Sequence, residues 1–275
     1  MKFDEVQSIL EKNLESPKLS RKYIAISAFR HFCAKNFPTE KIQKLVLTLF
    51  SMIADADINI RKAVITSLTT IAYNLPKLFK DANPKFYDYI KENLKIVASL
   101  IKEVELGPFK HKVDDGLPLR TSAYSFVETS VESLLPLHNI DAGLYNDAIL
   151  GGLGIDLMFV LFLFLFQILD ENNDDILIIC FHIIQKLCLI NPYIILSIID
   201  QITDKMKVRV EKFAKNAVGK QEGDRNSDLF RAVVRCCLAI SKTPDIETCP
   251  KFYDFFNETQ KNPLVVEIIK SLQAN

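Results

Sequence analysis

The chain has 275 residues, enough for about two ordinary domains or one elongated domain that grows by repetition. Hydrophobic residues make up 49% and charged residues 25%, the balance of a folding globular chain, which excludes a disordered tail or a coiled-coil rod. Thirty-four basic side chains cancel thirty-four acidic ones, which argues against a general electrostatic grip on nucleic acid or anionic lipid, and the eight glycines leave phosphate-binding loops poorly supplied.

From the N-terminus, charge at Lys2, Asp4, Glu5, Glu11, Lys12 and Glu15 breaks up any apolar signal segment, so a cytosolic and nuclear protein is expected. Apolar residues then recur at helical spacing: Val6, Ile9, Leu10, Leu14; Ile42, Leu45, Val46, Leu49, Ile53; Ile60, Val64, Leu68, Ile71, Leu75. The pattern predicts an all-α chain. Ser16-Pro17, Asn83-Pro84, Asn191-Pro192 and Asn262-Pro263 punctuate it as helix starts, with the polar side chain capping an orphan amide and the proline presetting φ. Arg21 and Arg61 each fall near the first turn of the second helix of a pair, 40 residues apart, at the low end of the roughly 40 to 47 residues of HEAT-type repeats. Asp57 through Val64 is the clearest copy, with Asp57 as cap; Arg120 and Asp228 through Val233 mark looser ones.

Between them, Glu103 to Val113 abandons the helical period and alternates, predicting a β-hairpin folded about Leu106 to Phe109. That register sets Glu105 opposite Lys110 and Glu103 opposite Lys112, with Val104 and His111 on the other face. Asp114 and Asp115 are expected to end the hairpin and cap the next helix. Pro136 to Ile155 carries half of the glycines and reads as a long loop with one short helix. Three strongly apolar helices follow, about Leu157 to Leu169, Ile176 to Ile190 and Tyr193 to Met206; the first is bounded by Asp156 and Asp170 at thirteen residues, short of the roughly 20 that span a bilayer. Lys205 to Lys220 carries six basic residues and reads as a solvated helix face, and Gln221 to Asp228 as a polar connection. A pair near Lys251 to Lys261 and Leu264 to Leu272 caps the array.

No chemistry-bearing constellation emerges. His31, His111, His138 and His182 are scattered singly, so no metal site is expected, and no cofactor motif is present. Cys33, Cys180, Cys188, Cys236, Cys237 and Cys249 show no paired short spacing, so disulfides are not expected; Cys236 and Cys237 read as one core and one rim thiol. A non-enzymatic helix stack with one projecting hairpin is the resulting expectation.

The run Ile101-Lys102-Glu103-Val104-Glu105-Leu106-Gly107-Pro108-Phe109-Lys110-His111-Lys112-Val113-Asp114-Asp115-Gly116-Leu117 closely resembles the C-terminal region of the cullin-associated, neddylation-dissociated proteins, also called TATA-binding-protein-interacting proteins. The likeness continues through Asp55 to Arg61, Tyr73 to Leu78, Val218 to Glu222 and Asn262-Pro263. Two stretches depart from it: Pro136 to Ile155 as an insertion, and Leu157 to Phe166 as a greasier version of a more polar segment.

The resemblance implies a HEAT/ARM-type α-solenoid, a right-handed superhelix of helix pairs with one β-hairpin protruding near residues 103–113. Residues 1–100 would be HEAT repeats and 101–275 the cullin-binding module, in one continuous solenoid. The implied partner is the N-terminal helical repeats of an unmodified cullin, for which the hairpin would compete with the substrate-receptor adaptor and so regulate assembly and exchange of cullin-RING (SCF) ubiquitin ligases. Carried onto this sequence, the contact residues are Leu106, Pro108, Phe109, Lys110, His111 and Lys112, with Phe109 as apolar anchor. The alternative for Phe109 is packing back onto Leu100 or Tyr124. For the whole chain the alternatives are a HEAT scaffold of the transport or phosphatase type, and a transcription regulator binding the TATA-binding protein.

Overall fold

The structure is a computed structural model that describes residues 3–33, 39–81, 84–106, 109–133, 171–190, 192–216 and 223–273. The expected loop at Pro136 to Ile155 and the apolar helix at Leu157 to Leu169 lie outside the described residues, as does Pro108. The chain divides into two compact units, Met1–Phe164 and Leu165–Asn275. Both are built from paired α-helices, the all-α solenoid architecture expected from the helical periodicity, and the hairpin belongs to the first.

In the first unit, α1 (Phe3–Leu14) buries Val6, Leu10 and Leu14, a one-turn ladder, on α2 (Leu19–Cys33), which returns Ala25, Ile26 and Phe29. α3 (Thr39–Met52) and α4 (Ile58–Asn74) repeat the arrangement. Asp57 caps α4 as expected, its Oδ1 accepting from the amides of Asn59 at 2.8 Å and Ile60 at 3.0 Å. Ser16 Oγ accepts from the Lys18 amide at 3.2 Å, and Pro17 lies two residues ahead of the first helical residue, Leu19, and does not open the helix. Deeper in, Ser67 Oγ donates to the Ile26 carbonyl at 3.2 Å, so a hydroxyl between helices satisfies itself on the neighbouring backbone.

A 3₁₀ turn (Pro76–Asp81) delivers Leu78 and Phe79 to the core, and α5 (Pro84–Leu94) adds Phe86 and Ile90. Phe50, Phe79, Phe86 and Phe126 form one aromatic cluster, with ring centroids 4.6 to 6.0 Å apart, that joins α3, the turn, α5 and α6 (Leu117–Glu132). Arg61 serves this packing, its Nη1 donating to Asn93 Oδ1 at 3.1 Å while Asn93 Nδ2 donates to the Tyr89 carbonyl. The repeat arginine therefore ties one helix pair to the next. Between α5 and α6 a short 3₁₀ turn (Ala98–Leu100) leads into β1 (Ile101–Leu106), and β2 (Phe109–Asp114) returns antiparallel.

In the second unit, α7 (Asp174–Ile190) packs on α10 (Gly223–Ile240), and α9 (Ile199–Asn216) lies against α10 and α11 (Pro250–Thr259). α12 (Pro263–Gln273) closes on α10, its start capped as expected by Asn262, whose Oδ1 accepts from the Leu264 amide at 3.0 Å. The helix expected over Tyr193 to Met206 is two: α8 (Pro192–Leu196) and α9 are parted at Ser197 and Ile198, where the Ile198 amide reaches the Ile195 carbonyl three residues back at 3.1 Å. That tightened turn redirects the chain so that Ile199, Ile202 and Met206 reach the core. α10 also begins at Gly223, inside the stretch expected to be a polar connection. Cys236 and Cys237 are both fully buried rather than one in the core and one at the rim, and the Cys237 thiol lies 3.6 Å from Met206 Sδ.

The basic helix face is partly engaged: Arg209 reaches Asp174 at 3.5 Å and Asn172 Oδ1 at 3.4 Å, with its side chain largely buried. Among the described residues, no helix is long and apolar enough to cross a membrane.

Candidate functional site

The two strands pair in the register read from the sequence: Glu105 faces Lys110, Glu103 faces Lys112, Val104 faces His111, and the terminal pair is Leu106 with Phe109. A two-residue connection, Gly107-Pro108, joins them, and Leu106 and Phe109 are described through their backbone pairing. Because side chains alternate, the ladder has two chemically different faces.

One face carries Glu103, Glu105, Lys110 and Lys112. Lys110 Nζ sits 3.5 Å from Glu103 and 3.9 Å from Glu105, so one ammonium bridges both carboxylates diagonally. Among the described residues, Glu103 pairs with Lys110 and not, as expected from the register, with its direct partner Lys112. Such exposed pairs contribute roughly 0.2 to 1 kcal/mol each, enough to favour the register but not to hold the hairpin alone.

The opposite face carries Lys102, Val104, His111 and Val113, and the pair Leu106–Phe109 falls on the same parity. Val104 is 39% exposed and Val113 43% exposed, and His111 lies open to solvent with them. Beside the base, Ile96 and Val97 are exposed as well. Among the described residues, apolar side chains thus stand in solvent along one face of the two-stranded ribbon.

The hairpin is fixed at its base. The Asp115 amide donates to the Leu100 carbonyl at 3.0 Å, extending the ladder past the last strand residue, and Lys102 pairs with Asp115 at 2.6 Å. Asp114 is the pivot. Its Oδ1 accepts from the Gly116 amide at 2.9 Å, and its Oδ2 accepts from Arg120 Nη1 at 2.9 Å. Arg120 projects from the buried side of α6, its side chain only 4% exposed.

Asp114 therefore ends the hairpin as expected but does not cap the next helix in the usual way; Gly116 holds the N-cap position with no side-chain bond to the first turn. Space there is tight: a Cβ would stand 3.0 Å from Leu100 Cδ1 and 3.2 Å from Asp114 Oδ1, so those side chains would have to give way. Of the six residues expected at the contact, Lys110 and Lys112 share the charged face and His111 lies on the apolar one. Val104 and Val113, which the contact list omitted, were legible in the alternation. Arg120 was not, because its partner is set by the fold.

Elsewhere, burial pushes the Cys188 thiol up to about 11 and Cys237 to about 12, and raises Cys236 as well, so these thiols stay protonated and inert. Among the described residues no group of three or more His, Cys, Asp or Glu side chains is placed to hold a metal ion.

The family profile described as TIP120, TATA-binding protein interacting (TIP20), matches residues 78–260, which brackets the hairpin and most of both units. The chain belongs to the TIP120 family. Relatives of this TIP120 chain include cullin-associated NEDD8-dissociated protein 2 of Rattus norvegicus, 25% identical over 234 residues, covering 85% of this chain and 17% of that protein. Cullin-associated NEDD8-dissociated protein 1 of Dictyostelium discoideum is 26% identical over 264 residues, covering 95% of this chain and 20% of that protein. A third, from Emericella nidulans, is named as the C-terminal part of cullin-associated NEDD8-dissociated protein 1 and is 27% identical over 229 residues, covering 82% of this chain and 20% of that protein. The TIP120 chain thus spans about a fifth of the length of the curated relatives it matches. In fold it is similar to the crystal structure of an engineered protein, at TM-score 0.58 and 13% identity, over 99% of this chain and 94% of that one.

Proposed function

We propose that this chain is a non-enzymatic cullin-binding scaffold whose hairpin obstructs the surface a substrate-receptor adaptor needs. The observation that carries the reading is an amphipathic ribbon standing out from the helix stack, its Val104 and Val113 in solvent, in a chain whose relatives are named cullin-associated. Residues 101–275 form the cullin-binding module, with Leu106, Pro108, Phe109, Lys110, His111 and Lys112 as contacts and Val104 and Val113 extending the apolar side. The partner is the N-terminal helical region of an unmodified cullin, met in the cytosol and nucleus. Occupancy by hairpin or by adaptor is mutually exclusive, so the chain tunes the assembly of cullin-RING ligases without making or breaking a bond.

Among the described residues, the hydrogen bonds and ion pairs that tie the ribbon to its surroundings lie at its base, which supports such a role. A rigid pivot at Asp114 and Arg120 sets its direction, which limits the ordering cost on binding. A second reading, binding of the TATA-binding protein, has the printed family description in its favour. Calorimetry with a cullin N-terminal fragment tests the first. Phe109→Ala is expected to weaken binding about thirtyfold, some 2 kcal/mol for an aromatic anchor, while helicity and melting stay unchanged. Equal affinity of the two proteins removes Phe109 from the contact, and binding to the TATA-binding protein alone would favour the second reading.

A further inference from the structure

The second unit contains a cleft of about 420 Å³ where α9, α10 and α12 converge, far in sequence from the hairpin and unrelated to its chemistry. Its apolar wall is built by the ring of Phe213 on α9, stacked on Phe230 of α10 at a centroid distance of 4.0 Å and an interplanar angle of 6°, and by Ile268 of α12. Phe230 itself clusters with Val234 and fully buried Val265, which lock α12 to α10, so the wall is part of a packed core. At about 420 Å³ the cleft falls within the roughly 300 to 1000 Å³ range of ligand pockets, enough for large apolar side chains.

The rim carries the charge. Arg231 and Arg235 line the cleft from α10, four residues and so about 6 Å of helix rise apart, both exposed. Among the described residues neither guanidinium has a carboxylate partner. Other cations on the same unit do: Arg209 on Asp174 and Lys251 on Asp204. The one acid lining the cleft, Glu267, comes from α12.

We infer that this cleft is a second docking site, taking an acidic amphipathic helix of a partner protein. The guanidinium fork binds carboxylates bidentately, and two forks one turn apart match acidic residues at i and i+4 on a partner helix running along α10. Apolar residues on the adjoining stripe of that helix enter the cleft against Phe213 and Phe230. Glu267 repels acid on the α12 side, so the occupant's carboxylates must lie toward α10, which fixes its orientation.

The probe is a hydrocarbon-stapled 14-residue helix with Glu at i and i+4 and Leu at i+3 and i+7, beside a version with Lys in place of Glu. Fluorescence anisotropy with the full chain is expected to show binding of the Glu peptide at least tenfold tighter than the Lys peptide. Arg231→Glu with Arg235→Glu, both at exposed positions and checked by melting, reverses that preference. Phe109→Ala leaves it unchanged, which separates this site from the hairpin. Equal binding of both peptides, no binding at millimolar concentration, or a short single-stranded RNA bound as tightly as the Glu peptide would each overturn the inference.

Discussion

Replacing Arg120 by Met keeps a stem of similar length and deletes the guanidinium that holds Asp114 at 2.9 Å. Two unit charges at that separation attract by about 6 kcal/mol at an effective dielectric of 20, and most of this offsets the cost of keeping the guanidinium in the core. The loss to the protein is therefore set by the group left behind. Asp114 keeps its bond to the Gly116 amide and is 21% exposed, so it can partly rehydrate. We predict a cost of about 2 to 3 kcal/mol, just under the usual cost of breaking a fully buried pair. At about 2 to 4 °C per kcal/mol for a chain of this size, the melting transition falls by about 5 to 10 °C.

Arg120 takes part in an interaction besides its pair with Asp114, so the single variant overstates the pair. A double-mutant cycle with Asp114→Ala isolates it, with an expected coupling of about 2 kcal/mol. Amide hydrogen exchange locates the effect, with amides of 101–114 exchanging about thirtyfold faster while those in the middle of α6 change less. A coupling within about 0.5 kcal/mol of zero, or hairpin amides protected as in the parent, would refute the pivot.

The remaining predictions concern groups whose environment is equally well defined. The Asp55 carboxyl is held below its ordinary range first by the Asp57 amide and then by Lys22, so its contribution is present above about pH 4 and is lost as pH falls through the depressed folded value. Asp55→Asn should therefore melt below the parent at pH 7, and the gap should close as the pH is taken below 4; a constant gap contradicts this. In alkylation at pH 8 followed by mass spectrometry, half-buried Cys249 should label in the native protein, while Cys236 and Cys237 label only as the second unit unfolds. Gly116→Ala should destabilise the hairpin base by about 1 kcal/mol through its contact with Leu100, and Leu100→Ala should relieve part of that cost.

What could be read from the residue order was what local rules decide. The alternation from Glu103 to Val113 with a Gly-Pro connection predicts both the hairpin and its register, since a slip of one residue would set Glu103 opposite His111 or Val113 and mix the charged and apolar faces. Asp57 and Asn262 are caps because the side chain and the amides it serves are neighbours in sequence. The split at Ser197 was not legible, because Tyr193 to Met206 keeps helical periodicity across the break and only packing reveals that the two halves diverge. Cys236 and Cys237 deceived for a similar reason: adjacent residues usually part between core and rim, but α10 is covered by both α7 and α9. The pivot at Arg120 depends on a turn and a helix meeting in space. On the charged face of the hairpin, the ion pairs expected from direct cross-strand opposition were rearranged by the reach of Lys110, which spans two rungs.

The obstructive role is tested most directly by titrating a fluorescent form of this chain against a cullin N-terminal helical fragment at several fixed concentrations of the substrate-receptor adaptor. Mutual exclusion predicts an apparent Kd that rises in proportion to adaptor concentration, with no three-component species in sedimentation. A Kd indifferent to the adaptor, or a stable complex containing all three, would contradict it.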